Sequence, residues 1–298
     1  MSNASTVVPA PSKGGRLPLA ALILGGAAIG GSPIFVRLSE VGPMTTGFWR
    51  VALALIPLLV VSAIKRQPGD ARPQSLADCA LLALPGLFLA SDLILWHVAL
   101  HITSVAKATL LANLAPVFVT LIGWLFLRAR VTGTFLAGLA AAMFGIVILK
   151  GGLAGLANGD LGGDGLATLA AVFYAGYILV IGRLRNRFDT LRIMVWSTAV
   201  AAICILPVAL FFEGNLIPAT AFGWSILVGL ALISHAGGQV AITYALAYLP
   251  AAFSSLTLLL QPVVAAILAW TLLGEAIGPL QAVGGAVVLL GILIARRG

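Results

Sequence analysis

Charge is scarce in this chain. Asp, Glu, Lys and Arg together make up 9% of its 298 residues, with nine acidic against 17 basic side chains. Cysteine is rarer: Cys79 and Cys204 both lie in apolar runs with no second Cys at a paired spacing, which excludes a disulfide framework and a zinc site. Both read as small buried hydrophobes. The three histidines, His97, His101 and His235, gather no cysteine or carboxylate cluster, so no metal is expected. There is no nucleophile elbow and no paired-carboxylate arrangement, so catalysis has no evident home. Gly25-Gly26 and Gly30-Gly31 are not followed by Lys-Ser/Thr and lie in an apolar run. They read as a close-packing device and not as a phosphate loop. No cofactor is expected, and any driving force must be an ion gradient or the substrate's own.

Apolar length is what the chain has in abundance. Hydrophobic residues make up 61%, and mean hydropathy is +1.12. Ten runs are each long enough to cross a bilayer, which takes about 20 residues at ~1.5 Å each. They cover 17–36, 44–64, 76–98, 103–126, 132–149, 164–182, 191–212, 220–244, 250–273 and 278–295. The connectors carry turn chemistry, including Gly42-Pro43, Arg66-Gln67-Pro68-Gly69, Asn158-Gly159-Asp160, Glu213-Gly214-Asn215 and Leu249-Pro250. Residues 1–16, rich in Ser, Pro and Ala, read as a disordered tail. Lys13 and Arg16 precede a long apolar run with nine more behind it, which favours an uncleaved first span over a secretory signal.

Alternate connectors gather the basic residues. With the N-terminus, one side holds 13 of the 17 Lys and Arg; the other four are Arg37, Arg50, Lys107 and Lys150. Basic residues resist translocation, so both termini are expected to face the cytoplasm. The net charge of +8 is then an orientation signal, with some attraction to anionic lipid heads. It gives no reason to expect nucleic acid. One sequence does not give oligomeric state, and a monomer is the working expectation.

The second half repeats the first. Shifted by 146 positions, residues 99–152 fall on 245–298 without a gap. Ala99-Leu100 meets Ala245-Leu246, Pro116-Val117 meets Pro262-Val263, and Trp124 meets Trp270. Gly138, Gly145 and Gly152 meet Gly284, Gly291 and Gly298. Five spans per half is odd, so the halves run in opposite directions. The expected fold is an all-α integral membrane protein of ten transmembrane helices arranged as two inverted five-helix repeats, with the substrate site near the midplane. The repeats are assigned to 17–152 and 164–298, joined by an external linker at 153–163. The turn Leu127-Arg128-Ala129-Arg130 is basic where its repeat partner Leu273-Gly274-Glu275-Ala276 is not, as opposite orientation requires.

Those two stretches, Ala99 to Gly152 and Ala245 to Gly298, resemble the two copies of the EamA repeat of the drug/metabolite transporter superfamily. The Ala-Leu pair, the central Pro, Leu-Gly-Glu and the Gly-rich last helix follow one another in that family's order. Gly30-Gly31-Ser32-Pro33-Ile34-Phe35 and Phe48-Trp49-Arg50 are similar to its first two helices. The first copy lacks the Gly-Glu. Among relatives, YddG-type bacterial exporters of amino acids look closest. The resemblance implies export of amino acids or related small metabolites across the bacterial inner membrane, and no enzymatic activity. A multidrug or cationic-compound exporter of the same superfamily stays open, as does, from another class, a lipid-modifying membrane enzyme. A channel repeats a filter around an axis, which two inverted halves do not do.

Polar groups inside lipid are costly unless they pair or line a wet cavity, so their positions mark the candidate site. Asp92 and Trp96 share a face of span three, and His235, Gln239 and Thr243 form a stripe on span eight. Asn113 lies before Pro116 on span four, and Gln261 before Pro262 on span nine; Ser32 precedes Pro33 on span one. Each of the paired prolines frees a carbonyl one turn back, at Ala112 and Leu258. Tyr174 and Tyr177 on span six offer stacking surface and cation–π contact. The candidate substrate-binding set is therefore Ser32, Asp92, Trp96, Asn113, Tyr174, Tyr177, His235, Gln239 and Gln261, with Pro33, Pro116 and Pro262 as kinks. The alternative for these polar stripes is interhelical glue, worth about 0.6 kcal/mol per bond. Arg50 is expected to pair with Glu40 or backbone carbonyls. His97 and His101 are expected at the interface, with Trp49, Trp196 and Trp224.

Overall fold

A computed structural model describes residues 15–65, 72–152 and 160–298. Most of the tail at 1–16, the turn Arg66-Gln67-Pro68-Gly69 and the turn residues Asn158-Gly159 lie outside the described residues. Among those described the chain is helical without strands. A backbone with no water to bond must satisfy itself internally, and here it does so as helices.

Eight helical segments are long and apolar enough to cross a membrane: Arg16–Leu38, Pro43–Ile64, Leu76–Ile102, Lys107–Leu127, Leu161–Leu184, Thr190–Phe212, Ala221–Ala245 and Ala251–Leu273. Gly133–Leu149 and Pro279–Ala295, of 17 residues each, complete the ten. At 1.5 Å per residue these two reach about 25 Å, slightly short of the hydrocarbon core. Numbered one to ten in chain order, the spans match the sequence reading within a few residues. Their starts are chemically marked. Pro43 and Pro279 open spans two and ten, where a missing N–H costs nothing. Ser75, Thr132, Asp160, Asp189 and Thr220 cap spans three, five, six, seven and eight with side-chain oxygens.

Three spans are broken. Span one divides at Gly31, just before Pro33, into Arg16–Gly30 and Ser32–Leu38. Span four divides into Val105–Ala112 and Ala115–Leu127, and span nine into Ala251–Thr257 and Leu260–Leu273. The last two breaks are repeat equivalents within one residue, each just before its proline. The carbonyl freed at Leu258 does not wait for a cavity: the Gln261 amide donates to it at 3.0 Å. Span eight departs differently, by a π-helical stretch at Leu230–Gln239.

The packing shows the twofold relation of the halves. Span five packs on ten, two on seven and four on nine, each a span against its own repeat equivalent. The other main interfaces come in matched pairs: three with six and one with eight, three with seven and two with eight, four with six and one with nine. The glycines of spans five and ten make this exact at the residue level. A Cβ on Gly138 would stand 2.6 Å from the Gly291 carbonyl, and one on Gly145 would stand 2.9 Å from the Gly284 carbonyl. Adding 146 to Gly138 and subtracting it from Gly291 converts one contact into the other. The largest buried cluster draws on spans one to four and six to nine, through Leu22, Val51, Leu82, Val119, Tyr177, Ile193 and Ile242.

Gly15 and Gly298 line one cavity, so both ends of the described chain lie on one face, the terminal face. The opposite face is fastened across the halves by carboxylates. Glu213, at the end of span seven, accepts from the Met44 and Thr45 amides at 2.7 and 2.8 Å, at the start of span two. Glu275 pairs with Arg37. Asp164 pairs with Lys107 at 2.5 Å and accepts from Thr103 at 2.8 Å. Glu40 accepts from the Thr220 amide at 3.0 Å and from its hydroxyl. The Thr220 hydroxyl holds the Glu40 carboxyl below its ordinary value of 4.5. Trp49 and Trp224 meet edge to face at 5.0 Å, and Trp49 Nε1 donates to the Leu216 carbonyl at 2.6 Å.

Candidate functional site

The sequence-predicted polar residues fall into two groups. The first is tied into the packing. His235 is buried at 1% exposure and shares a 2.9 Å hydrogen bond with the Thr198 hydroxyl of span seven. Gln239 is buried and donates from Nε2 to the Tyr177 hydroxyl at 2.7 Å, joining spans eight and six. Thr243 donates to Met194 Sδ at 3.2 Å. Asn113 donates from Nδ2 to the Thr109 carbonyl at 2.7 Å, inside its own half-span. In these four the bonding is the interhelical or local kind expected of structural polar groups.

The second group is not satisfied within the protein. Ser32 Oγ, Trp96 Nε1, Ser254 Oγ and Gln261 Nε2 are buried atoms without a hydrogen-bond partner. Most buried polar atoms in proteins are paired, so each such atom asks for a partner. Trp96 meets the His97 ring edge at 5.0 Å. Tyr174 stacks on Tyr177 with centroids 5.9 Å apart and planes 11° from parallel. Its hydroxyl is the neighbour towards which the Gln261 amide is aimed, although the two fall short of a well-formed hydrogen bond. Asp92, Trp96, Tyr174 and Gln261 all remain partly accessible although they sit well inside their spans.

One residue at the centre escaped the sequence reading. Arg50 does not pair with Glu40, which is occupied by Thr220. It lies inside the bundle within electrostatic reach of Asp92, Tyr174, Tyr177, His97 and His235. Its Nε is buried and without a hydrogen-bond partner. It makes no ion pair with Asp92: the four among the described residues are Arg37–Glu275, Lys107–Asp164, Arg187–Asp78 and Arg192–Asp189. Arg50 lies seven residues beyond Pro43, about 10 Å into span two. That depth was the signal, and an expected interfacial partner masked it. His97 near the end of span three is buried within the protein: it donates from Nδ1 to the Leu93 carbonyl at 2.7 Å and lies 3.7 Å from the Cβ position of Gly47, one turn before Arg50.

The neighbouring backbone suits a site. Broken spans one and nine present Ser32 and Gln261, and a Cβ on Gly30 would stand 2.9 Å from the Gln261 carbonyl, so the two breaks touch. The π-helical stretch carries Ser234, His235 and Gln239; such stretches re-aim side chains and recur at functional sites. Nothing in the composition around 230–239 announced it. Among the described residues no group of three His, Cys, Asp or Glu could hold a metal.

A cavity of about 430 Å³ opens at the terminal face. Val119, Thr120, Gly123 and Phe253 line its walls, and Arg130 and Arg296 stand at its rim. None of the predicted binding residues lines it, so the polar cluster and this cavity are separate places along the bundle.

The EamA-like transporter family matches residues 17–150 and again 161–297. The chain is 30% identical over 258 residues to a probable terminal-alkyne amino-acid exporter of Streptantibioticus cattleyicolor, covering 84% of this chain and 85% of that protein. It is 27% identical over 250 residues to the pseudopaline exporter CntI of Pseudomonas aeruginosa, covering 84% of each. A solved crystal structure shares the fold with a TM-score of 0.79 at 17% identity, over 94% of this chain and 95% of the other. The two named relatives are exporters of small molecules. Matched twice, once in each half, the chain belongs to the EamA-like transporter family.

Proposed function

We propose that this protein is a secondary transporter that exports amino acids or related small metabolites across a bacterial inner membrane. The halves 17–152 and 164–298 rock around a midplane cavity, exposing it to each side in turn. The terminal face, with its basic residues, is cytoplasmic, and both termini lie there. The protein acts as a monomer in lipid, with no nucleic-acid partner.

One observation carries this reading. Polar side chains from both halves meet inside the bundle, Asp92 and Arg50 within electrostatic reach of Tyr174, with Gln261 beside it. Ser32 and Gln261, at the breaks of spans one and nine, and Trp96 hold buried atoms without partners. Asn113, His235 and Gln239 fix the surrounding helices. The fastened opposite face fits a resting form closed on that side. The names of the two relatives, a terminal-alkyne amino-acid exporter and a pseudopaline exporter, support cargo built on amino acids.

Counterflow in proteoliposomes, with labelled threonine or methionine and unlabelled competitors, tests this. Accumulation blocked by several amino acids is expected. A second reading, export of cationic compounds, is favoured by Asp92, a carboxylate inside the bundle with no ion pair. It predicts flux of cationic drugs and none of amino acids.

A further inference from the structure

The polar atoms that the fold leaves unpaired share a chemical character. Six buried side-chain atoms among the described residues have no partner. Arg185 Nε is one, at the end of span six beside the terminal face. The other five are Ser32 Oγ, Arg50 Nε, Trp96 Nε1, Ser254 Oγ and Gln261 Nε2. Arginine and indole nitrogens and the amide nitrogen of glutamine can only donate, and serine can donate as well. A packed interior that served structure alone would mix donors with acceptors and pair them. Here donors are left over, on spans one, two, three and nine, and one of them belongs to a guanidinium.

A carboxylate supplies what these donors lack. It accepts through two oxygens with about four lone-pair directions, and guanidinium meets it in a two-bond fork. Asp92 does not play this part, because it forms no ion pair with Arg50 although it lies on the next span. The two opposite charges therefore stand apart inside one site, a spacing that fits a molecule carrying both charges between them. Tyr174, partly accessible and stacked on the fully buried Tyr177, supplies apolar surface for the remainder.

We propose that Arg50 anchors a carboxylate subsite and that Asp92 receives the ammonium group, so that the protein selects its cargo by the zwitterionic head of an α-amino acid. This rests on the amino-acid reading above and deepens it. Side-chain identity then matters less than an intact head group.

The test uses the full-length protein in proteoliposomes loaded with unlabelled threonine and supplied with labelled L-threonine. Competitors are threonine, its amide and methyl ester, which lack the carboxylate, and N-acetylthreonine, which lacks the ammonium. In the native protein, free threonine is expected to compete at least tenfold better than each derivative. Arg50→Gln should lose the preference for free acid over amide, and Arg50→Lys should raise KM at least tenfold while keeping that preference. Asp92→Asn should lose the preference for threonine over N-acetylthreonine and keep the other. A structural role for Arg50 would lower the amount of folded protein without moving these ratios. Amide and ester competing as well as threonine in the native protein would overturn the subsite while leaving an amino-acid transporter standing. Threonine uptake that requires chloride, with esters competing equally, would overturn it by giving the donors to an inorganic anion. No flux of any amino acid would remove the amino-acid reading itself, and this subsite with it. The native protein alone decides the first comparison, so an unfolded Arg50 variant does not block the test.

Discussion

Arg128 and Gly274 occupy the same left-handed cap, one repeat apart. They end spans four and nine with φ of 53° and 70°, and each is followed by an amide that reaches back six residues, Ala129 to Gly123 and Glu275 to Ala269. The backbone motif is identical, and the residue is glycine in only one copy. An L side chain in this region costs about 1 kcal/mol, which glycine avoids.

Replacing Arg128 by Gly is therefore expected to stabilise the protein by up to about 1 kcal/mol. Thermal unfolding in detergent checks it. A lower midpoint would mean that the Arg128 side chain contributes more than its backbone costs.

Spans five and ten touch through their backbones. Gly138→Leu would drive a side chain into the Gly291 carbonyl, 2.6 Å from its Cβ position, and into Ala295. A loss of roughly 3 kcal/mol or failure to fold is expected, since neither backbone can yield. Gly182 has nothing within 4 Å of its Cβ position, so Gly182→Ala is the contrast, neutral or stabilising by up to about 1 kcal/mol. The same melting experiment reads both.

The fastenings of the opposite face are unequal. Arg37 and Glu275 form an ion pair with side chains 58% and 48% exposed, so a double-mutant cycle should return less than about 1 kcal/mol. Glu213 accepts two backbone amides at the start of span two and is less exposed. Glu213→Ala is expected to cost about 2 kcal/mol and to speed hydrogen exchange at the Met44 and Thr45 amides. Unchanged exchange there would assign the closure to Trp49 and Trp224 instead.

The terminal-face cavity offers a steric test. Gly123 lines it, and a Cβ there would meet only Ala129 at 3.7 Å. Gly123→Phe should fold with a similar melting point and cut counterflow at least tenfold. Full flux through the filled cavity would separate it from the substrate path.

The candidate site was legible in part. Asp92, Trp96, Tyr174, Tyr177 and Gln261 stood out because a polar or aromatic group deep in an apolar run carries its own signal. His235 and Gln239 carried the same signal, but their bonds to Thr198 and Tyr177 satisfy them within the fold. One sequence does not show partners 37 or 62 residues away. Arg50 was visible as a residue and misread as a position, because Glu40 lay close along the chain while Asp92 and Tyr174 lay close only in space.

By itself the sequence determined the ten spans, the inverted repeat and the breaks before Pro116 and Pro262. Those follow from local physics: apolar length against bilayer thickness, and a ring nitrogen that cannot donate. Tertiary structure decided which polar atoms were left over. It set Glu213 on the start of span two, opened the π-helical stretch of span eight, and brought Arg50 within electrostatic reach of Asp92 and Tyr174 while leaving its Nε without an acceptor. Whether a donor is paired depends on distances between spans, and those exist only once the two halves have packed around their common axis.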